Sequence, residues 1–329
     1  MNDLTKPFKR LPVALIGTGS YVPECRLTNE DLEKMVDTSN EWIVTRTGIE
    51  ERRIAAPDEK TSDMATQAGK RAMEAAGVKP EEIDLIIVAT VTPDTFTPST
   101  ACYVQANLGA VNAAAFDISA ACSGFLYSLK TAVQYIGCGQ AKTALIIAAE
   151  KLSHIVNWED RSTCVIFGDG AGAAVLEAGE GYLCSEIHTA GGDSVIRIPA
   201  YGGTSPFSTV PTEKPVIFME GQETFKFAVN AFVEHIQSMC GKLGLEPAAL
   251  DHIVPHQANI RIIQMAARKL KLPLEKFVTN IETTGNTAAA SVPIALDDLN
   301  RSGKLQKGDL VAMTAFGGGL SSAGCILRW

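Results

Sequence analysis

Glu82-Ile83-Asp84-Leu85-Ile86-Ile87-Val88 and, much later in the chain, Ala249-Leu250-Asp251-His252-Ile253-Val254 read as two versions of one segment. Each follows an amphipathic helix and a short turn bearing a proline, Pro80 in the first and Pro247 in the second. Each then runs into an apolar stretch of strand length. Working outward, Ile118-Ser119-Ala120-Ala121-Cys122-Ser123 answers Ile281-Glu282-Thr283-Thr284-Gly285-Asn286, and Leu145 answers Leu310. Phe167-Gly168-Asp169-Gly170-Ala171-Gly172 answers Phe316-Gly317-Gly318-Gly319-Leu320-Ser321. The spacings from Ile83 to Leu250, from Cys122 to Asn286 and from Leu145 to Leu310 are nearly equal. Matches in one order at nearly one spacing predict a duplicated α/β chain. Its halves are 1–178 and 179–329, joined near 178–182, and the pairing sets the helix starts at Cys122 and Asn286 facing each other.

The rest of the pattern agrees. Apolar runs at 84–90, 143–149, 171–176 and 308–314 read as buried strands. Residues 61–76 predict a helix that opens at Thr61-Ser62-Asp63 and stops at Gly77. Phe225, Val229, Phe232, Ile236, Met239 and Leu243 give residues 223–243 a helical stripe, whose plain meaning is core packing. Residues 190–215 are rich in Gly, Pro, Ser and Thr and read as a long excursion that covers a site.

Composition narrows the function. The 329 residues are 46% hydrophobic and 20% charged, which fits a folded chain with a large core. A net charge of -8 argues against a general nucleic-acid binder and requires a local basic patch for any acidic partner. No apolar run has the length of a membrane span, and Val13-Ala14-Leu15-Ile16 stops at Gly17, as a strand does and a signal peptide does not. The eight cysteines form no close pair, which argues against zinc, thioredoxin-type redox chemistry and a disulfide framework. The expectation is a cytoplasmic chain with reduced thiols and no metal.

Three residues stand out. Cys122 sits among small residues directly before an apolar-periodic helix, where a helix N-terminus lowers a thiol's pKa. A buried packing cysteine is the plainer reading, and it suits Cys102, Cys138, Cys164, Cys184, Cys240 and Cys325; Cys25 is in a loop. His256 follows the strand Ile253-Val254-Pro255 and precedes a helix near Asn259, a position where α/β folds carry functional groups. His154, His188, His235 and His252 lack that setting and read as surface or packing residues. Asn286 in Gly285-Asn286 is an ordinary turn signal until the duplication places it opposite Cys122. Two other readings fail. Gly17-Thr18-Gly19-Ser20-Tyr21-Val22 lacks the third glycine of a dinucleotide fingerprint, and no GxSxG elbow is present.

These residues, with Glu41-Trp42-Ile43-Val44-Thr45-Arg46-Thr47-Gly48-Ile49, Phe167-Gly168-Asp169-Gly170-Ala171, Pro255-His256-Gln257-Ala258-Asn259, Gly285-Asn286-Thr287 and Phe316-Gly317-Gly318-Gly319, resemble the ketoacyl synthase III family. The resemblance runs from about Val13 to Trp329. It implies a thiolase-like fold of two α/β halves in a five-layered αβαβα stack. It implies a homodimer, pairing through a strand near 113–119, and an enzyme condensing acetyl-CoA, or another short acyl-CoA, with malonyl-acyl carrier protein. The CoA thioester is a substrate, and no cofactor, nucleic acid or membrane is involved. The catalytic set falls on Cys122, His256 and Asn286, and the oxyanion donors on the backbone N–H groups of Cys122 and Gly318.

Around the site, the resemblance assigns CoA to Trp42, Arg46, Thr47, Arg161, Gln222, Phe225, Ala258 and Asn259. Gln222 stands where well-known members carry Asn. Carrier-protein docking falls on Lys226, Arg261, Arg268 and Lys269, and Thr97 borders the acyl pocket from across the dimer, leaving primer length open. Asn286 separates the chain from elongating synthases, which use two His. The absence of Cys from residues 316–320 separates it from degradative thiolases. A CoA-dependent acyltransferase or specialised starter synthase on the same fold, and a non-catalytic carrier-binding subunit, are the alternatives.

Overall fold

The computed structural model describes residues 12–199, 206–207 and 214–329. In chain order the first half comprises β1 (Val13–Tyr21), β2 (Cys25–Thr28), α1 (Asn29–Leu32), α2 (Asn40–Thr47), β3 (Glu51–Ile54), α3 (Thr61–Ala76), β4 (Leu85–Ala89), α4 (Thr100–Leu108), β5 (Ala114–Ile118), α5 (Gly124–Gly137), β6 (Thr143–Glu150) and β7 (Gly170–Ala178). The second comprises β8 (Tyr182–Thr189), β9 (Ile196–Arg197), β10 (Phe218–Met219), α6 (Gly221–Leu243), β11 (His252–Pro255), α7 (Ile260–Leu270), α8 (Ile281–Thr284), α9 (Ser291–Arg301), β12 (Leu310–Gly317) and β13 (Ser321–Arg328). Part of the 190–215 excursion lies outside the described residues. Of the rest, β9 pairs with β10.

One sheet runs β1-β7-β6-β4-β5 and the other β8-β13-β12-β11. In both, the first two pairs in this order are antiparallel and those that follow are parallel, so the second sheet repeats the first strand for strand. Only the fifth strand differs: the place of β5 is taken by a single bridge from Phe277 to Ile253. The register repeats as well. Leu85 and its partner Ala144 recur as His252 and its partner Val311, both at one common offset along the chain. The irregularity between Leu15 and Gly17 in β1 recurs between Tyr182 and Cys184 in β8, at that same offset. So does a left-handed alanine, Ala121 at φ 45° and Ala288 at φ 44°.

This register corrects the matching drawn from sequence. At the offset that carries Leu85 onto His252, Cys122 corresponds to Ala289, and Asn286 to Ser119. Phe316 belongs to β12, at the place of Ala149 in β6, whereas Phe167 lies in the loop before β7. The loops carrying these groups have diverged while the strands have not, and matching similar turns let the alignment slip.

Strict alternation along the strands makes the layers. In the first sheet Leu85, Ile87, Ala144 and Ile146 face the middle of the molecule, while Ile86, Val88, Leu145 and Ile147 face α3 and α4. Val311 and Met313 of the second sheet face the same middle, filled by α5 and α9, and Ala312 and Phe316 face α6 and α7. The stack is therefore helix, sheet, helix, sheet, helix. Each buried Leu, Ile or Val contributes roughly 1.5–3 kcal/mol, so two sheets apolar on both faces hold the stack together. Gly17 and Gly19 have a packing purpose: a Cβ on Gly19 would lie 2.3 Å from the Ala72 nitrogen, so glycine lets α3 lie flat on β1. α3 spans the expected 61–76, and the residue that caps it is Lys60, whose N–H is held by Asp63 at 2.9 Å.

All eight cysteines are free thiols; Cys164, Cys240 and Cys325 are core residues, but Cys102 and Cys138 are exposed. Among the described residues no helix is long and apolar enough to cross a membrane.

Candidate active site

The middle layer's two helices begin at the same place. A single 3-10 turn, Ala121–Ser123, leads into α5, and another, Ala288–Ala290, leads into α9; the two turns touch. Ala121 is held left-handed at a cost of roughly 1–2 kcal/mol. The hydrogen bond from Ser321 Oγ to the Ala120 carbonyl (3.1 Å), with Ser123 Oγ 3.2 Å from the same oxygen, helps offset it. The next residue is Cys122. Gly317 meets it so closely that a Cβ there would lie 2.7 Å from the Cys122 nitrogen. The Gly318 N–H has no protein acceptor among the described residues.

His256 stands at the end of β11, 2% exposed, edge-on to Phe316 at 5.1 Å between centroids. Its Nδ1 lies 3.0 Å from Ser291 Oγ at the start of α9. That oxygen also accepts the Gln257 N–H at 2.6 Å, so the serine proton is free to point at Nδ1. With that proton directed at Nδ1, this ring nitrogen would be the acceptor and Nε2 would carry the ring proton. Burial pulls the imidazole down to about 3, so it is neutral in ordinary buffers.

Asn286 is buried and held by its own backbone: its N–H donates to Ile166 O (2.9 Å), and its carbonyl accepts from Gly168 N–H (3.0 Å). Its side-chain Oδ1 accepts the Ala288 N–H at 2.8 Å. The amide orientation is thereby fixed, with the Nδ2 donors left over. Cys122, His256 and Asn286 line one cavity of about 60 Å³, together with Gly317, Gly318 and Phe316. Apart from Thr224, apolar side chains make the remaining wall, among them Ile196 and Ile198 of the described part of the 190–215 excursion.

The thiol differs from expectation. Burial, joined by the Glu150 carboxylate, pushes Cys122 up to about 12, so the resting thiol is protonated despite the helix start beneath it. Glu150, fully buried at the end of β6, went unnoticed in the sequence. Its carboxylate accepts from Thr92 Oγ1 (2.7 Å), Val91 N–H (3.1 Å) and Thr90 Oγ1 (3.2 Å), and burial still raises it to about 7. An acid closing the apolar run Ala144–Ala149 was its signal.

The remaining expected residues divide. Trp42 has two guanidiniums over its indole, Arg46 at 4.7 Å and Arg161 at 5.5 Å, and Arg161 also donates to the Asp37 carbonyl at 2.7 Å. Thr47 is buried, and its only hydroxyl proton goes to the Ile43 carbonyl (2.7 Å). A phosphate needs a donor, so Thr47 shapes the end of α2 and has none to give. Asn259 caps α7 through Arg261 N–H (2.9 Å) and donates to the Arg46 carbonyl (2.9 Å), tying α7 to α2. Ala258 is half-buried beside it. On α6, Thr224 and Phe227, which the sequence reading missed, reach the cavity wall, whereas Gln222 and Phe225, on the opposite side of the helix, do not. Thr97 is exposed on the loop between β4 and α4 and is not on the wall.

Lys226 is exposed and pairs with Glu223 at 2.8 Å, and Lys269 reaches Asn230 at 3.1 Å. Arg261 and Arg268 are exposed and have no carboxylate within ion-pair distance among the described residues.

The comparisons with known proteins carry this geometry to a family. Residues 116–191 match the family model for 3-oxoacyl-[acyl-carrier-protein] synthase III, and residues 240–329 match its C-terminal model. The beta-ketoacyl-[acyl-carrier-protein] synthase III of Caldanaerobacter subterraneus subsp. tengcongensis is 54% identical, over 98% of this chain and 99% of its own.

The chain belongs to the 3-oxoacyl-[acyl-carrier-protein] synthase III family. The enzyme of the same name from Clostridium acetobutylicum is 49% identical over 96% of this chain and 98% of its own. The crystal structure of the synthase III from Aquifex aeolicus, 49% identical, superposes with a TM-score of 0.91 over 96% of this chain and 100% of that one. This synthase III chain thus has the thiolase-like fold and is a condensing acyltransferase.

Proposed function

We propose that this chain condenses acetyl-CoA, or another short acyl-CoA, with malonyl-acyl carrier protein to start fatty acid synthesis. The observation that carries this reading is one cavity lined by a thiol, a neutral imidazole and an amide whose Oδ1 is already engaged. In the first half-reaction Cys122 Sγ attacks the thioester carbonyl. The carbon–sulfur bond to CoA breaks, and CoA leaves as the thiol with the proton that Cys122 gives up. The backbone N–H groups of Cys122 and Gly318 hold the oxyanion.

In the second, malonyl thioester loses CO2, and the electron pair of the broken carbon–carbon bond moves into a thioester enolate. His256 Nε2–H and Asn286 Nδ2–H donate to the enolate oxygen. Its carbon attacks the acyl group on Cys122, the bond to Sγ breaks, and Cys122 takes up a proton. A neutral donor pair suits this step, since neither group must give up its proton.

We assign the CoA adenine to the Arg46–Trp42–Arg161 stack, whose indole and guanidiniums offer flat faces to a purine. Ala258 and Asn259 line the pantetheine path, with Gln222 and Phe225 at its outer edge. Lys226, Arg261, Arg268 and Lys269 receive the acidic carrier protein. The chain works as a homodimer in the cytoplasm, paired through the free edge of β5, and Thr97 of one copy borders the acyl pocket of the other. The test is to mix protein, acetyl-CoA and malonyl-acyl carrier protein and follow CO2 and acetoacetyl-carrier product by mass. Acyl transfer to Cys122 without CO2 would instead make the chain a simple CoA acyltransferase.

A further inference from the structure

Arg52 is a fully buried cation on β3. Its guanidinium donates to Leu27 O (3.1 Å), Asn29 Oδ1 (2.9 Å) and Val165 O (2.7 Å), all neutral, and its Nε has no partner. The neighbouring Glu51 carboxylate is engaged by Arg26 and Arg53 instead. A charge buried without a counter-ion is costly, and apolar replacements of such groups are often no less stable. Stability alone is a poor reason for this residue.

Its location supplies a better one. Val165 starts the segment Val165-Ile166-Phe167-Gly168, and the two backbone hydrogen bonds that hold Asn286 come from Ile166 and Gly168. Arg52 grips this segment from one end. Its stem also fills the space between Gly168 and Gly285, the glycines beside the Phe167–Asn286 β-bridge: a Cβ built on either would lie 3.1 Å from Arg52 Cβ. Gly285 itself is at φ 63°, and a Cβ there would also lie 2.9 Å from Ile166 O.

We infer that Arg52 is a positioning residue for Asn286: its grip on Val165 sets the segment from which the Asn286 amide is aimed into the cavity. The inference rests on the proposed role of Asn286 in malonyl decarboxylation. It separates the two half-reactions, because the Cys122 turn packs on β12, β13, α5 and the 288–290 turn and is hydrogen-bonded by Ser321, whereas both backbone hydrogen bonds of Asn286 are made with this segment.

The test compares wild type, Arg52→Lys, Arg52→Met, Asn286→Ala and the two Arg52/Asn286 double variants. Acylation of Cys122 by acetyl-CoA is read by intact mass, and CO2 release from malonyl-acyl carrier protein is read separately, beside the melting temperature of each. Misaiming a donor by about 1 Å costs about 10²-fold, so decarboxylation should fall about that far in Arg52→Met while acylation changes little. Arg52→Lys, which keeps the charge, should recover part of the loss. In the Asn286→Ala background the Arg52 substitutions should have no further effect on decarboxylation. Equal loss of both half-reactions, or an undiminished Arg52 effect without Asn286, would overturn the inference. If Arg52→Met does not fold, Arg52→Lys and its double variant decide by the same criteria. Wild type that acylates but releases no CO2 would instead defeat the underlying reading of Asn286.

Discussion

Ser291 Oγ lies 3.0 Å from Nδ1 of His256 and accepts the Gln257 N–H at 2.6 Å. One hydroxyl at a helix start is thus placed to select which imidazole nitrogen bears the proton facing the cavity. Without it, either tautomer is available and the donor facing the cavity is no longer fixed.

Ser291→Ala should lower malonyl decarboxylation by about tenfold, the cost of one hydrogen bond to a catalytic group. Acylation of Cys122 by acetyl-CoA should stay within about twofold, since His256 is not its nucleophile. Separate assays of the two half-reactions check this; equal losses would refute the assignment of the tautomer to Ser291.

Glu150→Gln should lower the thiol pKa of Cys122, because the substitution removes the carboxylate that helps hold it up while leaving burial in place. The pH midpoint of Cys122 alkylation by iodoacetamide reads this directly, and it should move down. An unchanged midpoint would mean that Glu150 does not act on the thiol.

His256 also ties stability to pH. Its folded pKa is depressed to about 3 from an unfolded value of 6.5, so the unfolded chain binds a proton first as pH falls. Stability is therefore lost as pH drops from 6.5 towards 3. Between pH 8 and pH 5 the loss due to this residue is about 2 kcal/mol. Urea unfolding of wild type against His256→Asn should diverge by that amount over this range, wild type falling further at pH 5.

Arg261→Glu and Arg268→Glu should raise the KM for malonyl-acyl carrier protein by about tenfold and flatten its salt dependence. The rate of acylation by acetyl-CoA should change little. A matching rise in the KM for acetyl-CoA would move these arginines from carrier docking to the CoA path.

The parts of this molecule written in periodic apolar sequence were legible. The apolar runs at 84–90 and 143–149 became β4 and β6 almost to the residue, and α3 ends at Gly77 because a glycine adopts φ 68° there. Cys122 could be singled out because it stands among small residues before a helix, and His256 because it stands where a strand end opens towards a helix. The match of Cys122 to Asn286 was not right, since loops change length more freely than paired strands do. Glu150 and Arg52 were illegible for another reason: their importance comes from burial, and a charged letter in a sequence says nothing of the solvent it has lost. The thiol's raised pKa has the same origin, as local helix geometry was visible and the depth of the site was not.

The central claim is that Cys122 carries an acyl group which malonyl-acyl carrier protein then removes with loss of CO2. Intact-protein mass after mixing with acetyl-CoA, beside Cys122→Ala, and again after adding malonyl-acyl carrier protein, tests it most directly. The account predicts a single acetyl adduct on wild type alone, cleared on the second addition as CO2 and acetoacetyl-carrier appear. An acetyl adduct that persists, or one that forms equally on Cys122→Ala, would contradict it.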